Sequence, residues 1–199
     1  MTGKPRIHFR ELKGFPPTIE DKIATEAFLN AAKEIVTIIG TFGKLFTPVI
    51  NDMQGNITKL ATTLEKNKRE FYYLENLIIL NVDLNRNYAA NALLWLKRAL
   101  QMICSFFENI YNDQQNTETL KQHLQDAYEK TLKPYHGLIV KSTVKLIYCW
   151  VPTRSQLIGQ GTDHDENMKV LESFLPKMRL HLNKIDSLLK KYRLDDSGV

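Results

Sequence analysis

Leu93, Leu96, Leu100, Ile103, Phe107 and Ile110 follow one another at alternating steps of three and four residues. On an α-helix that spacing lines a single face. The pattern predicts a central core helix from about Asn87 to Tyr111, and a rod with one long apolar face is stable only where other elements cover it.

The rest of the chain supplies helices to do so. Residues 1–17 are basic, contain three prolines and show no sustained period, so they read as a surface or mobile tail, with a single domain over 18–199. Thr18 and Asp21 are candidate starts for a helix over about Ile19 to Ile39, with Ile23, Phe28, Ile35, Ile38 and Ile39 turned inward. Gly40 and Gly43 punctuate it, and Pro48 fits the first turn of the next helix, which continues through Leu64. Further helices are expected over Lys68 to Leu80, Thr117 to Leu132, Pro134 to Cys149 and Glu166 to Tyr192, the last kinked or broken at Pro176. No persuasive strand pattern or internal repeat appears. The fold class is all-α, a two-layer helical sandwich of about eight helices.

With 27 Lys and Arg against 22 Asp and Glu, the chain carries a mild positive excess, spread along its length. That balance favours an anionic surface such as a membrane leaflet and lacks the dense basic run of a nucleic-acid arm. No signal peptide, lipidation motif or spanning segment is found, and Cys104 and Cys149 form no metal or disulfide pattern, so two reduced, interior thiols and a cytoplasmic protein are expected.

Catalytic patterns are missing as well. The histidines at 8, 123, 136, 164 and 181 are scattered, Gly159 and Gly161 follow no strand, and no nucleophile motif is present. No catalytic residue, metal or cofactor is therefore expected.

The polar pattern that stands out lies on the helix through Ile50 to Leu64. Asp52, Asn56 and Lys59 are spaced by four and three residues, which sets an acceptor, a mixed group and a donor on one face, while Ile57, Leu60 and Leu64 share another. Such a row suits a polyhydroxylated ligand. Trp95 lies off the leucine stripe, with Arg98 one turn further along its own face; it is either core or a flat surface on which a sugar stacks. His136 opens an apolar segment and is either a structural histidine or a neutral imidazole that donates to a carbonyl.

Three stretches together, D-M-Q-G-N-I-T-K at 52–59, L-L-W-L-K-R-A-L at 93–100 and Y-E-K-T-L-K-P-Y-H-G at 128–137, resemble the glycolipid transfer protein family. T-E-A-F-L at 25–29, F-T-P-V at 46–49, L-P-K-M at 175–178 and I-D-S-L at 185–188 extend the resemblance from about residue 20 to the end; T-E-A-F-L, A-L-L-W-L-K-R at 92–98 and L-P-K-M look most like the branch that forms the terminal domain of a four-phosphate adaptor protein. The resemblance implies an all-helical carrier that takes one sphingolipid, its sugar at the surface and its ceramide chains in an apolar pocket. By the same resemblance, Asp52, Asn56 and Lys59 bond the sugar, Trp95 stacks on it, and His136 and Asp52 hold the ceramide amide. In the branch that carries ceramide 1-phosphate, basic residues stand where this chain has Asn56 and Trp95.

Two family features differ. The tryptophan that usually follows the His-Gly pair is Leu138, so Trp150, Tyr148 and Lys145 become the candidate membrane contact. The terminal tyrosine of shorter members has Tyr192 as its candidate counterpart.

The expected function is therefore binding of a galactosyl-, glucosyl- or lactosylceramide type of glycosphingolipid and its non-vesicular transfer by a monomer that touches membranes reversibly. The alternatives are a non-transferring lipid sensor or helical interaction module of the same fold, a ceramide 1-phosphate carrier, and, least supported, a hydrolase using His136 and Asp52.

Overall fold

Among residues 7–83 and 88–195, which the computed structural model describes, eight α-helices follow in order. They are α1 (Thr25–Gly40), α2 (Thr47–Lys66), α3 (Leu74–Asp83), α4 (Tyr88–Asn112), α5 (Lys121–Thr131), α6 (Leu138–Ile147), α7 (Arg154–Leu157) and α8 (Thr162–Lys191). Short 3-10 turns at Phe9–Glu11, Lys44–Phe46, Lys133–Tyr135 and Tyr148–Trp150 join or extend them. The described residues hold no strand, only two isolated bridges, Ile19 with Lys22 and Ala24 with Tyr73. No helix among them is long and apolar enough to cross a membrane.

The expected central helix is α4. None of its six stripe residues is more than 1% exposed, each contributing about 1.5–3 kcal/mol through burial. Leu94, Met102 and Phe106 on its other faces are buried too, because α4 packs against α2, α3, α5 and α8, while α1 packs on α2. The helices thus form a two-layer sandwich. Lys97, itself buried, is paired with Asp186 at 2.6 Å and ties α4 to α8. On α2, Pro48 occupies the first turn and Met53, Ile57, Leu60 and Leu64 face the interior, which leaves Asp52 exposed, Lys59 half-buried and Asn56 covered at the edge of that face.

Several local expectations change. Helix α1 starts at Thr25 rather than Ile19, because its approach is bound elsewhere. Ile19 and Lys22 exchange backbone hydrogen bonds at 2.9 Å around Glu20 and Asp21, both with positive φ. The Ile23 and Thr25 N–H groups donate to the Glu75 carboxylate and the Tyr72 carbonyl. Residues 7–17, read from the sequence as part of a tail, contribute Ile7, Phe9 and Phe15 to the core. Phe9 meets Phe107 edge-on at 5.3 Å, and the Asn167 amide bonds the Phe9 N–H and the Ile7 carbonyl. Gly14 lets this strap cross α8: it has φ +68°, and a Cβ there would stand 3.2 Å from the Phe174 ring. Such contacts join residues far apart in sequence and leave no period to read.

The single helix expected over 134–149 is divided. His136 is extended (φ −96°, ψ 136°), Gly137 caps α6, and Pro134 sits in the preceding 3-10 turn. Conversely, α8 runs unbroken through Pro176. Proline removes one backbone donor, and the buried side chains Leu171, Phe174, Leu175 and Met178 on either side keep that segment against the core. Both cysteines are free, but only Cys104 is buried; Cys149 is exposed, which corrects the expectation of two interior thiols.

Candidate functional site

The row on α2 stands as its spacing implies: Asp52 is exposed, Asn56 is buried at its rim and Lys59 is half-buried. Although Asp52 as a residue is exposed, partial desolvation of its carboxyl by the surrounding groups raises its pKa above the ordinary value, opposed by the Lys59 ammonium, the His136 ring and the Asn56 amide. Asp52 on α2 and His136, distant in sequence, are thus close enough for each to influence the other's charge.

His136 comes to that site on the extended link between α5 and α6. Burial lowers its pKa; Asp52 opposes the shift, and Lys141 and Arg98 reinforce it. The imidazole is therefore neutral near pH 7. Its Nδ1 lies 3.1 Å from the Tyr128 hydroxyl. Burial pushes the Tyr128 phenol upward, so it keeps its proton and donates to Nδ1 in the tautomer that leaves that nitrogen bare. Nε2 then carries the imidazole proton and is a donor.

Trp95, half-buried on α4, stacks on the His136 ring with centroids 6.2 Å apart and planes 17° from parallel. Arg98 lies over Trp95 at 5.0 Å and over Tyr135 at 3.5 Å, and donates to the Asp195 carbonyl at 2.8 Å. Lys59 lies 5.6 Å above the Tyr88 ring, which is largely exposed. The arrangement offers a carboxylate, two amine or amide donors, a neutral imidazole donor and a flat indole, a set suited to a neutral ligand rich in hydroxyl and amide groups.

All five residues singled out from the sequence for this site are thus brought together: Asp52, Asn56, Lys59, Trp95 and His136. Tyr128, Tyr135 and Tyr88 were missed. Tyr128 and Tyr135 lie in the same motif as His136, yet α5 ends at Thr131 and Tyr135 stands in the 3-10 turn that follows, so no helical period relates them to the histidine.

The candidate membrane contacts divide. Trp150 is 63% exposed and Lys145 is exposed, but Tyr148 is 6% exposed and packs edge-on against Tyr128 at 6.1 Å. Tyr148 is therefore an interior residue, a correction that follows from the 3-10 turn rotating it toward α5. Leu138 and Leu146 are exposed in its place. Tyr192 ends α8 with Lys191 over its ring at 5.5 Å, and further along that segment the Asp195 carbonyl accepts from Arg98.

The family profile described as Glycolipid transfer protein matches residues 23–162. A Homo sapiens relative, Pleckstrin homology domain-containing family A member 8, is 31% identical over 197 residues, covering 91% of this chain, and the chain spans only 37% of that relative's length. Glycolipid transfer protein 1 of Arabidopsis thaliana is 26% identical over 181 residues, with 89% of each chain covered. The solved FAPP2 structure, described as selecting simple glycosphingolipids using the GLTP fold, superposes with a TM-score of 0.84 at 26% identity, covering 100% of this chain and 97% of that one.

Proposed function

The chain belongs to the glycolipid transfer protein family, and on that premise we propose that it binds a glycosphingolipid and carries it between membranes without vesicles. The observation that carries this reading is the Asp52, Asn56 and Lys59 row facing the stacked Trp95 and His136 pair. Asp52 accepts from sugar hydroxyls and the ceramide amide N–H, Asn56 and Lys59 complete the sugar contacts, and Trp95 stacks on the ring. His136 donates from Nε2 to the ceramide carbonyl, its tautomer held by Tyr128.

A phosphate headgroup fits this row less well, since a carboxylate and a neutral amide flank the position and repel or fail to neutralise an anion. The ceramide chains enter the apolar interior bordered by Met53, Ile57 and Leu60, all fully buried. Each CH₂ taken from water is worth about 0.8 kcal/mol, so unaided desorption of two long chains opposes more than roughly ten kcal/mol and is slow. An apolar protein interior removes most of that barrier. The exposed Leu138, Leu146 and Trp150, with Lys145, form the reversible membrane contact. One chain supplies every group named, so a monomer suffices.

The test is transfer of fluorescent galactosylceramide between vesicles, beside ceramide 1-phosphate and phosphatidylcholine probes. Acceleration of the glycolipid alone is expected. Folded protein that moves none of the three would replace transfer with sensing. Asp52→Val should lower glycolipid capture at least about tenfold, since each charged hydrogen bond is worth about 1.5–3 kcal/mol, with the thermal midpoint nearly unchanged. If the variant instead unfolds, the row is structural and the site assignment is lost.

A further inference from the structure

A cavity of about 270 Å³ lies between α5 and α6, lined by none of the Asp52 row. Lys121 at the start of α5, Lys133 in the turn after it, and Lys141 and Lys145 on α6 surround it, together with Tyr128 and one carboxylate, Glu129. Glu129 is already engaged, accepting from Lys133 at 3.2 Å and from Gln125 at 3.4 Å. Among the described residues, Lys121, Lys141 and Lys145 enter no ion pair. Uncompensated ammonium groups around one cavity repel each other, and an anion seated among them relieves that repulsion.

The adjoining edge of α6 indicates where the anion comes from. Leu138 and Leu146 are 84% and 70% exposed, and on a 3.6-residue helix Lys141 and Lys145 lie beside them. A bilayer surface sets phosphate groups next to an apolar layer that accepts leucine side chains, whereas a free phosphate compound in water offers no such neighbour. We propose that this cavity takes the phosphate of an anionic phospholipid from the leaflet on which α6 docks. The protein then grips one membrane lipid by its headgroup here while loading its cargo at the Asp52 row. This assignment rests on the reading of α6 as the membrane contact.

Flotation with vesicles of phosphatidylcholine alone, and of phosphatidylcholine containing phosphatidylserine, tests it. Stronger binding to the serine-containing vesicles is expected, and Lys121→Ala with Lys133→Ala should remove that gain by about fivefold per lysine. Both lysines lie off α6, so binding to the neutral vesicles should match that of the unaltered chain. Lys169→Ala with Lys177→Ala removes the same charge from the exposed side of α8, and should leave binding within about twofold. Equal losses in the two double variants would reduce the effect to net charge and overturn the cavity, as would equal binding of the unaltered protein to both vesicles. An excess of glycerophosphoserine should displace little vesicle-bound protein; tight filling of the cavity by that soluble compound would assign it to a free phosphate instead. Capture of a short-chain galactosylceramide in solution is read on the same samples. It should persist in both double variants, and its absence in the unaltered protein would sink the proposed function while leaving the cavity result to stand or fall on its own.

Discussion

Helices α4 and α6 are both rich in apolar residues, yet the molecule uses them in opposite ways. The stripe of α4 is closed off by neighbours in both layers, whereas α6 runs on into the Tyr148–Trp150 turn and leaves Leu138 and Leu146 to solvent. Apolar surface that is covered within the chain stabilises the fold; the same chemistry left uncovered beside lysines is available for a second surface. The contrast therefore separates residues that hold the protein together from a face proposed to meet a membrane.

The sharpest way to break this contrast is to truncate one leucine in each region. Leu100→Ala, in the fully buried stripe, should lose about 2–5 kcal/mol in urea unfolding, through lost burial and the cavity left behind. A shift much smaller than this would mean that the interior of α4 collapses around gaps, as expected only of a core built to open.

Acid titrates one histidine in the core and one at the candidate site. His181 lies in the core, stacked on Phe28, with Nδ1 donating to the Lys177 carbonyl at 2.9 Å and Nε2 without a partner among the described residues. Burial lowers its pKa, assisted by Lys184 and opposed by the Lys177 carbonyl. The unfolded chain takes up that proton first, so the stability His181 contributes is present above about pH 6.5 and is lost as pH falls. His136 shifts in the same direction. Unfolding midpoints measured on either side of that pH should therefore fall on acidification, and His181→Leu should flatten part of the slope while leaving the acid sensitivity of glycolipid capture, which follows His136. An unchanged slope in the variant would remove His181 from this role.

The smallest stability effect belongs to α6. Leu146→Ala should alter unfolding by no more than about 0.5 kcal/mol, yet weaken vesicle binding by roughly tenfold or more, since a buried leucine is worth about 1.5–3 kcal/mol. Comparable unfolding losses for Leu146→Ala and Leu100→Ala would erase the distinction between the two helices.

The order of residues makes some of this legible and leaves the rest silent. Helix α4 and the polar row of α2 could be read because helical period is local: residues three and four apart share a face whatever surrounds them. The start of α1 was misplaced because Glu75 and Tyr72, about fifty residues away, bind its approach. Tyr148 was assigned to the surface because nothing in L-I-Y-C-W-V tells which aromatic turns inward; Tyr128 on α5 decides that by packing against it. Phe9 and Phe15 were unreadable for the same reason, being held by residues near the far end of the chain.

Local spacing alone established the all-helical class, the long buried stripe and the acceptor-to-donor row, since each depends on backbone geometry that repeats every 3.6 residues. Packing alone brought Trp95 and His136 to that row. They meet it because α4 and the α5–α6 link converge there, Tyr128 bonds the His136 ring at Nδ1, and α6 turns Leu138 and Leu146 outward on the helix that carries Lys141 and Lys145. These are relations between residues far apart in sequence, set by which helices exclude water from each other, and no pattern along the chain encodes them.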